Sequence, residues 1–267
     1  MQYFIEMGMM NMLVSDIVRY VDSIAPFDSA DDWDNVGLLL GNLEKEVKRV
    51  LVSLDGTYQV LKQAKDIEAD VVLTHHPIIF DPLKNISSKD LIYKFIKSDI
   101  SVVCAHTNLD RAIDGVNDCL AKALDLSDIK KFEDSIDCGR IGSLSLTFSC
   151  DEFIKLVAKK LETTVRATRC TGKIKRVAVF GGAGEFAWKA AKSAGADAFV
   201  TGESKHHILL DAKNEDFCFV DAGHFDTEKL ICIHLKNKLQ NEFKNIDFFV
   251  ANQSSPVCYS DGDKTWH

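Results

Sequence analysis

The chain has no extended run of basic residues. Its densest cluster is KIKR, Lys173 to Arg176, and the 267 residues carry a formal net charge of −8. A broad nucleic-acid-binding face needs the opposite balance, so only a local basic patch is left open. No apolar stretch approaches the roughly 20 residues that span a bilayer. The opening MQYFIEMGMMNMLVSDI contains neither the basic region nor the long apolar block of a secretory signal. Met7, Met9 and Met10 read as translation starts, with the folded part beginning at Met10 or Met12. Cysteine is present eight times but never as C-x-x-C, and Cys104, Cys218 and Cys232 sit in apolar runs. These are expected to be reduced, buried thiols of a cytoplasmic protein, not a disulfide or zinc-finger framework. A complete dinucleotide or P-loop fingerprint is also missing. The glycine loop FGGAGE, Phe180 to Glu185, could cradle a phosphate on its backbone N–H groups, but its spacing favours a plain turn.

What is present is enough apolar sequence, 46%, for one large domain or two ordinary ones. Strand-like and helix-like segments alternate. RVLVSLD (Arg49 to Asp55) and VVLT (Val71 to Thr74) flank TYQVLKQAKDIEA, where Val60, Ala64 and Ile67 keep helical spacing. A helix from about Ser88 to Lys97 leads into ISVVCAH. Another is predicted in NLDRAIDGVNDCLAKAL, with Ile113, Val116, Leu120 and Leu124 on one face. The pattern is that of an α/β chain with largely buried, central sheets.

The second half repeats the first. Shifted by 127 positions, Lys48–Thr74 lies on Lys175–Thr201 without a gap, and ten of the 27 positions are identical. Two related α/β lobes are therefore expected: residues 1–126, with an extension before about residue 12, and residues 127–267. The boundary falls near Leu124 to Ser135, and residues from about 226 onward are candidates to pack back on the first lobe. The repeat diverges just past the matched segment, where His75-His76 of the first lobe become Gly202-Glu203 of the second. At a slightly different offset, VVCAHTNLD and VDAGHFDTE each end an apolar strand with a histidine followed four residues later by a carboxylate: His106 with Asp110, and His224 with Glu228.

Six side chains thus share one address beyond the carboxyl ends of strands, where open α/β sheets place ligands: His75, His76, His106, Asp110, His224 and Glu228. Imidazoles mixed with carboxylates suit zinc, iron or manganese, whereas calcium takes oxygen alone. A helix starting at His224 would put Glu228 one turn away on the same face. Neighbouring histidines diverge too far to chelate one ion easily, but each can take one ion of a close pair bridged by a carboxylate. Each element is weak by itself, and Asp110 could instead cap the following helix. Their joint placement at strand ends in both lobes carries the metal reading. The KHH at Lys205 to His207 fits a surface or capping pair, and His234 and His267 fit a core edge and a tail.

The segments WDNVGLLLG (Trp33 to Gly41), THHPIIF (Thr74 to Phe80), AHTNLDRAIDGVN (Ala105 to Asn117), GADAFVTGESKHH (Gly195 to His207) and AGHFDTE (Ala222 to Glu228) closely resemble the NGG-one-interacting-factor-three-like family. Its members are also labelled GTP cyclohydrolase 1 type 2 homologues. The resemblance spans nearly the whole chain and implies two α/β lobes around a dinuclear centre, with a ring-shaped homohexamer as the usual assembly. It assigns His75 and Asp110 to one ion, His76 and His224 to the other, and Glu228 to both. His106 falls on a histidine lining the site, a candidate proton carrier. The implied cofactor is two divalent transition-metal ions per subunit (Zn, Fe or Mn). The implied activity is hydrolysis of a nucleotide or related small molecule, with ring opening of GTP as one form. Glu203, at the repeat position of His76, joins His106 as a candidate for moving protons. A dinuclear phosphoesterase and a non-catalytic metal-binding scaffold are the competing functions. Open coordination positions favour an enzyme, because a structural site is normally closed.

Overall fold

The computed structural model describes residues 11–131, 137–260 and 265–266. Met7, Met9, Met10 and His267 lie outside them. In chain order the elements of the first part are α1 (Val14–Ile24), β1 (Gly37–Leu40), β2 (Arg49–Ser53), α2 (Tyr58–Asp66), β3 (Val71–Thr74), α3 (Leu91–Lys97), β4 (Ser101–Cys104) and α4 (Thr107–Arg111). There follow α5 (Val116–Ala123), β5 (Ser127–Lys130), β6 (Arg140–Ser149), α6 (Cys150–Leu161), β7 (Arg166–Ala167), β8 (Lys173–Phe180), α7 (Trp188–Ser193), β9 (Ala198–Thr201), α8 (His206–Asn214), β10 (Cys218–Asp221), α9 (His224–Glu228) and α10 (Leu230–Glu242). The chain divides into two compact units, Met1–Asn108 with Cys232–Gln253, and Leu109–Ile231 with Ser254–His267.

In the first unit β2, β3 and β4 run parallel. Antiparallel β1 lies beside β4, and a strand at Asp247–Val250 runs parallel to β2. Every residue of β3 and β4 is buried, as a parallel strand covered on both faces requires. Leu51, Val72 and Val102 pack with Val60, Leu61 and Ala64 of α2 and Phe95 of α3. Helix α2 starts where Thr57 accepts the Val60 N–H, a side-chain cap that satisfies one orphan donor of the first turn.

The second unit holds a six-stranded sheet in the order β5-β6-β8-β9-β10-β7. Its middle three strands, β8, β9 and β10, are parallel. Alternate side chains of β8 serve opposite faces. Val177 and Val179 join Leu120, Leu124, Phe153 and Val157, while Ala178 joins Phe199, Phe219 and Trp188.

The internal repeat is structural. Val50 stands opposite Val71 and Ser53 opposite Thr74, while Val177 stands opposite Ala198 and Phe180 opposite Thr201. Each pair in the second unit is displaced by the 127 positions read from the sequence. The identical residues explain why. Asp70 accepts the backbone N–H groups of Lys48 and Arg49 at 2.7 and 3.0 Å, and Asp197 accepts those of Lys175 and Arg176 at 2.9 and 2.7 Å. One carboxylate at the head of each second strand thus fixes the start of the first.

The segment NLDRAIDGVNDCLAKAL departs from the single helix predicted for it. It breaks between α4 and α5, and Ile113 is 84% exposed instead of sharing the buried face of Val116, Leu120 and Leu124. Asp114 takes a left-handed φ of 60°, which no helix interior tolerates. None of the eight cysteines is in a disulfide; Cys104, Cys218 and Cys232 are buried, as expected. Among the described residues no helix is long and apolar enough to cross a membrane.

Candidate metal centre

In the first unit the sequence Thr74-His75-His76-Pro77 leaves β3 at its carboxyl end, and His106 leaves the neighbouring β4. The parallel register sets Thr74 beside Cys104, so both exits fall at the same sheet edge. His75, His76 and His106 come together there, each offering a nitrogen within 4.8 Å of the others. His75 is buried and the other two are partly so. The rings of His75 and His76 are 4.9 Å apart and inclined by 43°, which agrees with the divergence expected of adjacent histidines.

The second nitrogen of each ring is already committed. His75 Nδ1 is 2.9 Å from the Ala105 carbonyl oxygen, which can only accept, so Nδ1 carries the proton and Nε2 the lone pair. His76 Nδ1 donates to Asp55 at 2.7 Å, and His106 Nδ1 to Asp34 at 2.9 Å. Asp34 also accepts the N–H and hydroxyl of Thr107, at 3.0 and 2.6 Å. Burial alone would raise the Asp34 carboxyl, but the hydrogen bonds from His106 and Thr107 outweigh it and hold the group well below the usual carboxylate range.

In the second unit α9 begins at His224, so Glu228 lies one turn on, with the His224 Nε2 to Glu228 Oε2 distance 3.0 Å. His224 Nδ1 donates to Glu203 at 2.7 Å. Asp110, on α4, presents a carboxylate oxygen within 4.8 Å of one from Glu228. Two carboxylates held so close repel, and a cation between them turns that cost into attraction. The donor chemistry fits a metal of the zinc, iron or manganese kind. Every one of the four histidines is held through Nδ1 by an oxygen acceptor, the outer contact that fixes the ring of a metal-ligating imidazole.

The glycine loop is a turn, as its spacing favoured. Its N–H groups are used internally: Gly181 donates to Asn117 at 2.8 Å, Gly182 to Thr227 at 3.1 Å and Gly184 to Thr201 at 3.1 Å. The loop instead makes room. A Cβ at Gly182, whose φ is +63°, would fall 2.2 Å from Glu228 Oε1 and 3.2 Å from His224 Nε2. At Gly202 a Cβ would fall 2.7 Å from the His224 backbone Cα. Because Gly202 is the repeat position of His75, a second histidine pair has no space in this unit.

All six residues singled out from sequence therefore lie in one of two sets, three imidazoles in the first unit and Asp110, His224 and Glu228 in the second. Asp110 is inside α4 and does not cap α5, whose N-cap is Gly115. His206 and His207 are exposed in the first turn of α8, matching the surface reading. Sequence reasoning missed Asp34, Asp55 and Asn117. Asp34 and Asn117 stand inside segments that carried the resemblance. Fully buried Asn117 donates to the Asp110 carbonyl at 3.2 Å and accepts from Gly181, tying α4 to the loop beneath Glu228. His224 and Glu203 also open on a cavity of about 530 Å³, lined further by Arg166, Ser204, Lys205 and Tyr259.

A mixed α/β fold with two large sheets, and imidazole and carboxylate groups gathered at strand ends, defines the class as an α/β protein with metal-competent His/Glu groups. The chain belongs to the Duf34/NIF3 (NGG1p interacting factor 3) family, whose pattern matches residues 12–256. It is 32% identical over 257 residues to the GTP cyclohydrolase 1 type 2 homolog of Clostridium perfringens, covering 91% of this chain and 97% of that one. The protein of the same name from Methanocaldococcus jannaschii is 33% identical over 253 residues, covering 89% of this chain and 100% of the relative. Among solved structures, Staphylococcus aureus protein SA1388 superposes with a TM-score of 0.88 at 29% identity, over 94% of this chain and 100% of that one.

Proposed function

We propose that this protein is a dinuclear-metal-dependent hydrolase of a nucleotide or related small molecule. On the family resemblance, His75 and Asp110 would hold one divalent transition-metal ion, His76 and His224 the other, and Glu228 would serve both. The observation that supports the reading is the hold on His75, His76 and His224 through Nδ1, which points to Nε2 as the ligating nitrogen of each. A bound pair of zinc, iron or manganese ions supplies Lewis acidity and lowers the pKa of water to near neutrality. The chain's own residues supply orientation and proton movement. Asp34 orients the His106 ring through Nδ1, and His106 is the group that would deliver or remove a proton at the substrate. Glu203, 54% exposed, sets the His224 ring and exchanges protons with solvent. The cavity beside His224 has the size of a small-molecule site.

The assembly proposed is a closed homohexamer in the cytoplasm, on the strength of family resemblance; light scattering showing a monomer at micromolar concentration would remove it. The decisive experiment for function is elemental analysis of gently purified protein, followed by turnover of a nucleotide and phosphoester panel read by mass spectrometry. About two ions per chain and chelator-sensitive hydrolysis are expected. A protein that takes up both ions but leaves the whole panel unchanged is a metal-binding scaffold instead.

A further inference from the structure

We infer that Trp33 and Phe80 form a stacking platform for a planar heteroaromatic ring, the base-like part of a substrate that reaches the imidazole cluster of the first unit. This rests on the proposal that the cluster is catalytic. Trp33 is 57% exposed and Phe80 54% exposed, unusual for residues of this size in ordered loops. Their rings lie 5.5 Å apart at 34° to one another, a contacting pair that forms one apolar step. Both meet His106 edge-on, Trp33 at 6.0 Å and 76°, Phe80 at 6.4 Å and 68°. The step is therefore contiguous with the nitrogens that would face the reacting group.

The step is also held in place. Asp34, next to Trp33, is bonded to His106 and Thr107, and the Asn35 side chain donates to the Ile79 carbonyl at 2.7 Å, next to Phe80. The two loops are thus clamped together and to the histidine cluster, while more than half of each aromatic residue stays exposed. A rigid open π-face needs little reordering to receive a flat ring, and every nucleobase has the complementary face.

The test compares GMP with ribose 5-phosphate, which keeps the sugar phosphate and lacks the base, by isothermal titration calorimetry on the metal-loaded full chain. GMP should bind more tightly. Trp33→Ala should weaken GMP about tenfold, within the range of one base–aromatic stack, and leave ribose 5-phosphate unchanged. Trp33→Phe should stay within about threefold of the parent, and Phe80→Leu should fall between the two. Metal content and circular dichroism of each variant establish that the fold and cluster persist. An unchanged GMP to ribose 5-phosphate ratio in Trp33→Ala overturns the inference, as does absence of binding of either probe to the parent. A fall in assembly size for Trp33→Ala with the ratio intact also overturns it and assigns the pair to contact between copies. Base discrimination that depends on Trp33 in a protein without turnover would support the platform and sink only the hydrolase reading.

Discussion

Replacing Gly182 by alanine should damage stability and metal binding together, and the size of both effects follows from geometry. The added Cβ would sit 2.2 Å from Glu228 Oε1, more than an ångström inside ordinary contact distance, about 3.5 Å. Glu228 is only 4% exposed, so its carboxylate cannot swing into solvent to make way. The left-handed φ of +63° adds roughly 1–2 kcal/mol of backbone strain for any residue with a Cβ. Together with about 1–2 kcal/mol for disturbed contacts of a buried carboxylate, the cost is about 2–4 kcal/mol. That corresponds to a fall in Tm of roughly 5–15 °C. Because Glu228 is proposed to join both ions, affinity for each should drop by about 100-fold, the upper end of what a lost supporting contact costs. Gly172 is the control: nothing lies within 4 Å of a Cβ built there, so Gly172→Ala should be neutral or slightly stabilising. Thermal melts and competition with a zinc chelator on the two variants read both quantities. A Gly182→Ala protein that melts and binds like the parent, or a Gly172→Ala protein that loses as much, would refute the reasoning.

Other outcomes follow from single contacts. Glu228→Gln keeps size and removes charge, so occupancy of both ions should fall, whereas His76→Ala should chiefly lower one and Asp110→Asn the other; anomalous scattering distinguishes these. Asp70→Ala and Asp197→Ala each strip acceptors from two backbone N–H groups and should each cost about 1–2 kcal/mol in urea unfolding, the near equality being the signature of the repeat. Asp34 is depressed in the folded state, so its contribution to stability is complete above the unfolded carboxylate pKa, about 3.9, and is lost as pH falls below that value. Asp34→Asn should therefore flatten the acid side of the stability profile below about pH 4; a profile parallel to the parent's would count against the Asp34–His106 pairing.

The parts of this molecule that were legible in the sequence are those that depend on local pattern. Three apolar residues and a threonine became β3 at the expected bounds, Val71–Thr74, and the four-residue spacing of His224 and Glu228 became one helical turn. The 127-residue shift reappeared as strand register. What escaped depends on tertiary packing. Asp34 is 72 residues from the histidine that it orients and Asp55 is 21 from its own, with no periodicity to join either pair. The break before α5 was hidden by good apolar spacing through Ile113. The broken turn depends on Gly115, which apolar spacing does not register: a side chain there would strike the Leu109 carbonyl at 1.9 Å.

Gly202 limits what the two halves of the repeat can exchange. If the two halves descend from one duplicated segment, restoring the first half's histidine at 202 now meets the backbone of α9 at 2.7 Å, a collision no rotamer choice relieves. Return to a symmetric ancestor would demand that α9 move first, and α9 carries His224 and Glu228. Each further substitution that settled α9 against Gly202 would have raised that barrier. The halves are thus held apart: one carries the histidine pair, and the other has no room at 202 to acquire it by point mutation while α9 stays in place.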